Sequence, residues 1–308
     1  MSIDVLQAKI RKLKTPIMVG LDPVAELIPP ALLEASFQEK GCDLNGLAHA
    51  CLRFCTDLLD ALKGVVPAVK VQSACFEALG HAGVAAMEEV LAYTAKLKYY
   101  VLLETMRTDV GHIAAVSAQS VFGGVQVGDR SFLPYPCDGI VLNGYLGSDG
   151  IKPYLPWLQG ENPKNLFVVV KSSNRSSAEV QDLISGDRII HTAMADLTLR
   201  WSTDLFGKCG YGEVGAVVGG LAPRAIQNLR KRYDTLFFLV PGYGAQGGVA
   251  KHASYAFDRF GHGAIVSASR SVIGAWKQEE YAGLNHQAAA VAAVEKMKRQ
   301  LETYVTVL

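Results

Sequence analysis

The sequence predicts an α/β fold, a (β/α)8 TIM barrel formed as one domain over residues 1–308. Three observations predict it. Short apolar runs of β-formers alternate with segments of helical periodicity, the pattern of parallel strands joined by helical crossovers. There are eight such runs, which at this length favours a closed barrel over an open doubly wound sheet. Polar groups gather where these runs end, and barrel enzymes keep their chemistry at the C-terminal ends of the strands.

The elements follow in order. Residues 1–14 mix charge and apolar residues at helical spacing. Residues 16–23 form a first strand ending in Asp22, and a long loop over 23–45 holds a short helix near 31–38. Residues 47–62 are helical. Ala68-Val69-Lys70-Val71-Gln72 is a second strand, with a lysine that is costly to bury unless it is paired. A helix over 82–96 leads to the third strand, Tyr99 to Glu104, and residues 110–122 read as the next helix. Strands follow at 137–143, 165–173, 214–218, 235–240 and 264–267, with helices at 189–206, 223–232 and 286–304. No hairpin is expected between them. The length beyond a minimal barrel sits in loops near 23–45, 123–136 and 147–164.

Composition narrows the function classes. A net charge of +1 gives no strong field to recruit nucleic acid or an anionic membrane. No apolar run reaches the roughly 18 residues of a membrane span, and the N-terminus lacks a signal-peptide core, so a cytoplasmic protein is expected. Six cysteines without a Cys-x-x-Cys pair read as buried thiols, and the histidines have no metal-type spacing. No metal is expected. No nucleophile elbow or Walker-type loop is present.

The chemistry concentrates at strand ends. In the third strand the period of two places Glu104 and Met106 on one side, with Arg107 on the other and Asp109 in the following turn. A plainer reading has Glu104 and Asp109 cap the next helix. Asp22, Lys70, Glu104 with Asp109, and Lys171-Ser172-Ser173-Asn174 would line one mouth. Acids beside Lys70 can neutralise and orient it; the alternative is a lysine that snorkels at a strand end. After the seventh strand comes Pro241-Gly242-Tyr243-Gly244-Ala245-Gln246-Gly247-Gly248, and after the eighth Ser269-Arg270-Ser271. Glycines let backbone N–H groups approach phosphate oxygens, and an arginine adds a bidentate charge.

These motifs, together with Gly20-Leu21-Asp22-Pro23, Val69-Lys70-Val71 and Leu142-Asn143-x-Tyr145-Leu146-Gly147, run in order from about residue 16 to 275. The chain resembles the orotidine 5'-phosphate decarboxylase family, in its longer type 2 branch. The resemblance implies a dimeric barrel that converts orotidine monophosphate to UMP and carbon dioxide without cofactor or metal. It implies Asp22 and Lys70 at the ribose, Ser172 at the pyrimidine, and Gln246 between base and phosphate. Arg270 and the backbone from Pro241 through Gly242, Gly244 and Gly247 would hold the phosphate, and Asn143 would also face the substrate. The family's Asp-x-Lys-x-x-Asp stands here as Glu104-Thr105-Met106-Arg107-Thr108-Asp109, with the last Asp serving the neighbouring subunit. The family lysine that protonates C6 is therefore Met106, and a thioether has no proton to give. Ile113 and Ser269 depart from the family pattern as well. Three readings stay open: an orotidine-phosphate decarboxylase, a nucleotide-binding paralogue without the acid, and an enzyme for another phosphorylated substrate.

Overall fold

The computed structural model describes residues 1–308. Eight parallel strands close a barrel: β1 (Ile17–Leu21), β2 (Ala68–Gln72), β3 (Tyr100–Glu104), β4 (Gly139–Leu142), β5 (Asn165–Lys171), β6 (Val214–Val218), β7 (Phe238–Val240) and β8 (Ala264–Ala268). Each strand pairs with its neighbours in sequence, and β1 pairs with β8 to complete the ring. Nearly every strand residue is buried, because helices cover the outer face while side chains fill the interior. That is why the strands read as continuous apolar runs. No helix is long and apolar enough to cross a membrane.

Helix boundaries have local causes. The Asp43 carboxylate accepts the Asn45 and Gly46 N–H groups at 2.8 and 3.1 Å and starts Leu44–Leu62. Asn285 accepts from the Ala288 N–H at 2.8 Å and starts His286–Glu302. Ser2–Leu13 buries Ile3, Leu6 and Ile10 and ends at Lys14 in the left-handed region.

Several expected boundaries move. The loop over 23–45 carries a helix at Pro30–Lys40. The helix expected over 110–122 is Gly111–Ala118 followed by a π-helical turn, Gln119–Gly123, and the one expected over 189–206 is Ile190–Trp201. The seventh strand is only Phe238–Val240. Two hairpins correct the expectation of none: Val125–Val127 with Arg130–Phe132, and Ile184–Ser185 with Arg188–Ile189. Each turns on Gly-Asp, with φ of 63° at Gly128 and 65° at Gly186. Positive φ at the first turn residue matches the twist of a two-residue hairpin loop.

Below the barrel, away from its C-terminal mouth, Glu213 is fully buried before β6. Its carboxylate accepts the Ile3 N–H at 3.1 and 3.2 Å and the Asn165 amide at 3.4 Å. Burial pushes its pKa up to about 7, against the lowering effect of those donors. The folded state then keeps this proton where the unfolded chain has lost it. Stability falls as pH rises from the unfolded value of 4.5 through 7, and the penalty is constant above that. Glu213→Gln keeps an acceptor for Ile3 without the charge. Its stability relative to wild type, read from urea unfolding, is expected to improve by about 1–3 kcal/mol between pH 4.5 and pH 8. A difference that does not change with pH would contradict this.

Candidate active site

The centre of the barrel mouth is an ion cluster built by register. Gly20 of β1 lies beside Lys70 of β2, and Gln72 beside Glu104 of β3. Lys70 is 5% exposed and Glu104 6%. The Lys70 ammonium donates to Asp22 Oδ1 at 3.3 Å and lies in direct contact with Glu104 Oε2. Gln72 Nε2 donates to the same Glu104 oxygen at 2.9 Å. Burial alone would pull the Lys70 pKa down, but Glu104 and then Asp22 hold it above its ordinary value. Lys70 is therefore a buried, paired cation that keeps its proton at neutral pH. Ser269 Oγ donates to the Gly20 carbonyl at 2.9 Å, and a Cβ at Gly20 would lie 2.6 Å from that oxygen. Ser269, the serine before Arg270, thus requires the glycine at position 20.

Opposite this cluster, the loop after β7 and Arg270 form a second, polar end. Gly242, Gly244 and Gly247 have φ of 95°, 72° and 96°. Two of the three do not have the free N–H groups expected of them. Gly244 N–H donates to Gly248 O, and Gly247 N–H to Gly244 O, at 3.0 and 2.8 Å. Those donors close the turn; the N–H groups of Gly242, Ala245 and Gln246 have no protein partner. A Cβ on Gly242 would meet Gln246 Oε1 at 2.8 Å, so the glycine lets that side chain fold over the loop. The Arg270 guanidinium makes no hydrogen bond or ion pair within the chain.

A cavity of about 340 Å³ joins the two ends and gathers Asp22, Lys70, Glu104, Met106, Ser172, Pro241, Gly242, Gln246 and Arg270. Gln72, Tyr243 and Ser267 line it too, although the sequence reading did not single them out. Two of them were accessible by parity: Gln72 is two residues beyond Lys70, and Ser267 two before Ser269. Met106 reaches the cavity by a different route from the one expected. β3 ends at Glu104, and Met106 follows in a left-handed turn at φ 51°, with its N–H on Val141 O at 3.0 Å. Arg107 turns away to pair with Glu77.

Other expected residues lie elsewhere. Lys171 leaves the mouth because β5 bulges against β6: Val217 pairs with Val169 but Val218 with Lys171. The extra residue reverses parity, so Val169 lines the cavity while Lys171 meets Asp182 at 2.7 Å in a neighbouring cleft. Asn143 and Asp109 line a separate cleft of about 570 Å³ with Met106 at its edge. Asn143 Oδ1 accepts the Tyr145 N–H at 3.1 Å, and Asp109 accepts only its neighbour Val110, at 2.7 Å. Neither Asp109 nor Glu104 caps the helix from Gly111. Gly244 faces a third cleft beside Arg270, and Gly247 lies outside the central cavity. No group of three or more His, Cys, Asp or Glu side chains is placed to share a metal ion.

Comparisons with known proteins identify the barrel's relatives. The family model described as orotidine 5'-phosphate decarboxylase / HUMPS family matches residues 15–283. An orotidine 5'-phosphate decarboxylase of Rhodopirellula baltica is 36% identical over 301 residues, 96% of this chain and 97% of that one. One of Caldicellulosiruptor bescii is 31% identical over 303 residues, 98% of each. Among solved structures, Leishmania donovani OMP decarboxylase superposes with a TM-score of 0.74 at 26% identity, covering 98% of both chains. Leishmania donovani UMP synthase gives 0.75 at 28% identity, covering 98% of this chain and 56% of that longer one.

Proposed function

The chain belongs to the orotidine 5'-phosphate decarboxylase / HUMPS family, and we propose that its barrel mouth binds a pyrimidine nucleoside 5'-monophosphate and decarboxylates orotidine monophosphate to UMP slowly, as a type 2 member of that family. The observation that carries this reading is the single cavity with an unpaired guanidinium at one end and the Asp22–Lys70–Glu104 cluster at the other. Phosphate goes to the free fork of Arg270 and the open N–H groups of Ala245 and Gln246. The ribose hydroxyls go to Asp22 and Lys70, and the base to Ser172. C6 of the pyrimidine then faces Glu104 and Met106.

In the reaction the bond from C6 to the carboxylate carbon breaks, its electron pair stays on C6, and a proton replaces carbon dioxide. Glu104 repels the substrate carboxylate, and the Lys70 ammonium stabilises charge developing on C6. Met106 supplies no proton, so Lys70 is the one ammonium on this side of the cavity able to do so. Its acids hold that proton tightly, which makes it a poor general acid near neutrality. Met106 itself favours a second reading, in which the site binds the nucleotide without turning it over.

We also propose a homodimer. Val110, Ile113, Val116 and Leu146 are exposed beside the cleft that holds Asp109 and Asn143. An apolar patch next to Asp109, whose carboxylate bonds only its own neighbour Val110, suits a second copy of the chain, to whose site Asp109 would be lent. Sedimentation at micromolar concentration is expected to give the dimer mass; monomer alone would contradict it.

Met106→Lys tests the reaction. Met and Lys are both unbranched and of similar length, and two lysines of this chain already occupy the left-handed region, at Lys14 and Lys98. The new ammonium would sit near Glu104 as a positioned acid. Loss of orotidine monophosphate absorbance is expected to speed up by about 10²-fold or more. A fast wild type with no gain in the variant would assign the proton to another group. If UMP binds but neither wild type nor Met106→Lys with Glu104→Asp turns over, the binding role stands and the decarboxylase role falls.

A further inference from the structure

Ser172, just beyond β5, lines the cavity with Val169 and Met106, and its hydroxyl is committed on two sides. Its backbone N–H donates to Gln181 Oε1 at 2.9 Å. A backbone N–H can only donate, so this contact fixes which way the Gln181 amide points. Gln181 Nε2 is then the atom 2.8 Å from Ser172 Oγ, and it donates there. On the other side, Ser172 Oγ lies 2.6 Å from Asn174 Oδ1. That separation belongs to an O–H···O bond and is shorter than the usual N–H···O range of roughly 2.7–3.2 Å. The Asn174 amide nitrogen donates instead to Ser176 Oγ at 3.0 Å. The Ser172 proton is therefore directed at Asn174, and one lone pair is filled by Gln181. What remains on the hydroxyl is a single lone pair.

We propose that Gln181 and Asn174 are positioning residues that make Ser172 an obligate hydrogen-bond acceptor, so that the site selects a pyrimidine with hydrogen on N3, as in uracil, over one with a bare N3, as in cytosine. The inference rests on the nucleotide reading above and adds its base specificity. A cytosine N3 would oppose lone pair to lone pair, leaving both unpaired within the site. The segment that carries Gln181 is itself braced. Lys171, turned out by the β5 bulge, holds Asp182 at 2.7 Å, and His191 Nδ1 lies 3.2 Å from the same carboxylate oxygen. This gives the relocated lysine a purpose: it fixes the residue next to Gln181.

Calorimetric titration with UMP, CMP and ribose 5-phosphate tests the proposal on wild type, Asn174→Ala and Asn174→Asp. Wild type is expected to prefer UMP over CMP by about tenfold or more. In Asn174→Ala the Ser172 proton is released and can turn toward N3, so the preference is expected to shrink by about tenfold. Asn174→Asp keeps an acceptor oxygen and is expected to retain the preference. Ribose 5-phosphate, which lacks the base, is expected to bind all three alike. A merely structural role for Asn174 would weaken UMP and CMP together and leave their ratio unchanged, and that result would overturn the proposal. Ribose 5-phosphate binding with no UMP preference in wild type would overturn it while sparing the phosphate site. Failure of wild type to bind either UMP or ribose 5-phosphate would remove the nucleotide reading and this inference with it.

Discussion

The mouth of this barrel depends on one buried ion cluster, Lys70 held between Glu104 and Asp22. A lone ammonium at 5% exposure would be expelled or neutralised. Two carboxylates from neighbouring strands keep it in place and charged, and Gln72 satisfies one of the acid oxygens. Because each partner comes from a different strand end, the cluster exists only when β1, β2 and β3 are in register. Removing one partner of such a pair typically costs about 3–5 kcal/mol, since the other charge is left buried alone. The same interaction thus organises the site and penalises change within it.

Met106 decides the charge balance of the proposed site. The cavity sets two carboxylates, Asp22 and Glu104, against two cations, Lys70 and Arg270. That balance suits the free protein. A bound nucleotide brings its phosphate, and orotidine monophosphate a carboxylate as well, so the occupied site carries excess negative charge near C6. A lysine at position 106 would offset it, whereas a thioether cannot. In the proposed reaction Lys70 would then serve both its acids and the reacting carbon. Placing Met106 in a left-handed turn between two clefts also links the central cavity to the apolar patch proposed for the partner subunit.

Much of this was legible in the sequence. Alternation of apolar runs and helical segments gave the barrel, and a lysine inside an apolar strand called for acids nearby, which Glu104 and Asp22 supply. Parity with Lys70 could also have found Gln72, which the sequence reading left out. The limits came from effects that a period of two cannot register. A single bulge at Val170 turned Lys171 out of the mouth, and the end of β3 at Glu104 put Met106 under turn geometry rather than strand geometry. The sequence marks a glycine-rich loop after β7, but it does not show that hydrogen bonding within the turn consumes the donors of Gly244 and Gly247. Both Gly-Asp turns were visible and went unread as hairpins. The Gln181 clamp on Ser172 spans nine residues of irregular chain, with no periodicity to announce it.

The central claim is that the cavity between Arg270 and the Lys70 cluster is a nucleotide site. Calorimetry with UMP on wild type and Arg270→Ala tests it most directly. The account predicts measurable binding to wild type and a loss of about 2–4 kcal/mol in the variant, the cost of removing one partner from a charge-paired contact. No heat of binding to wild type at millimolar UMP, or equal affinity in the two proteins, would contradict it.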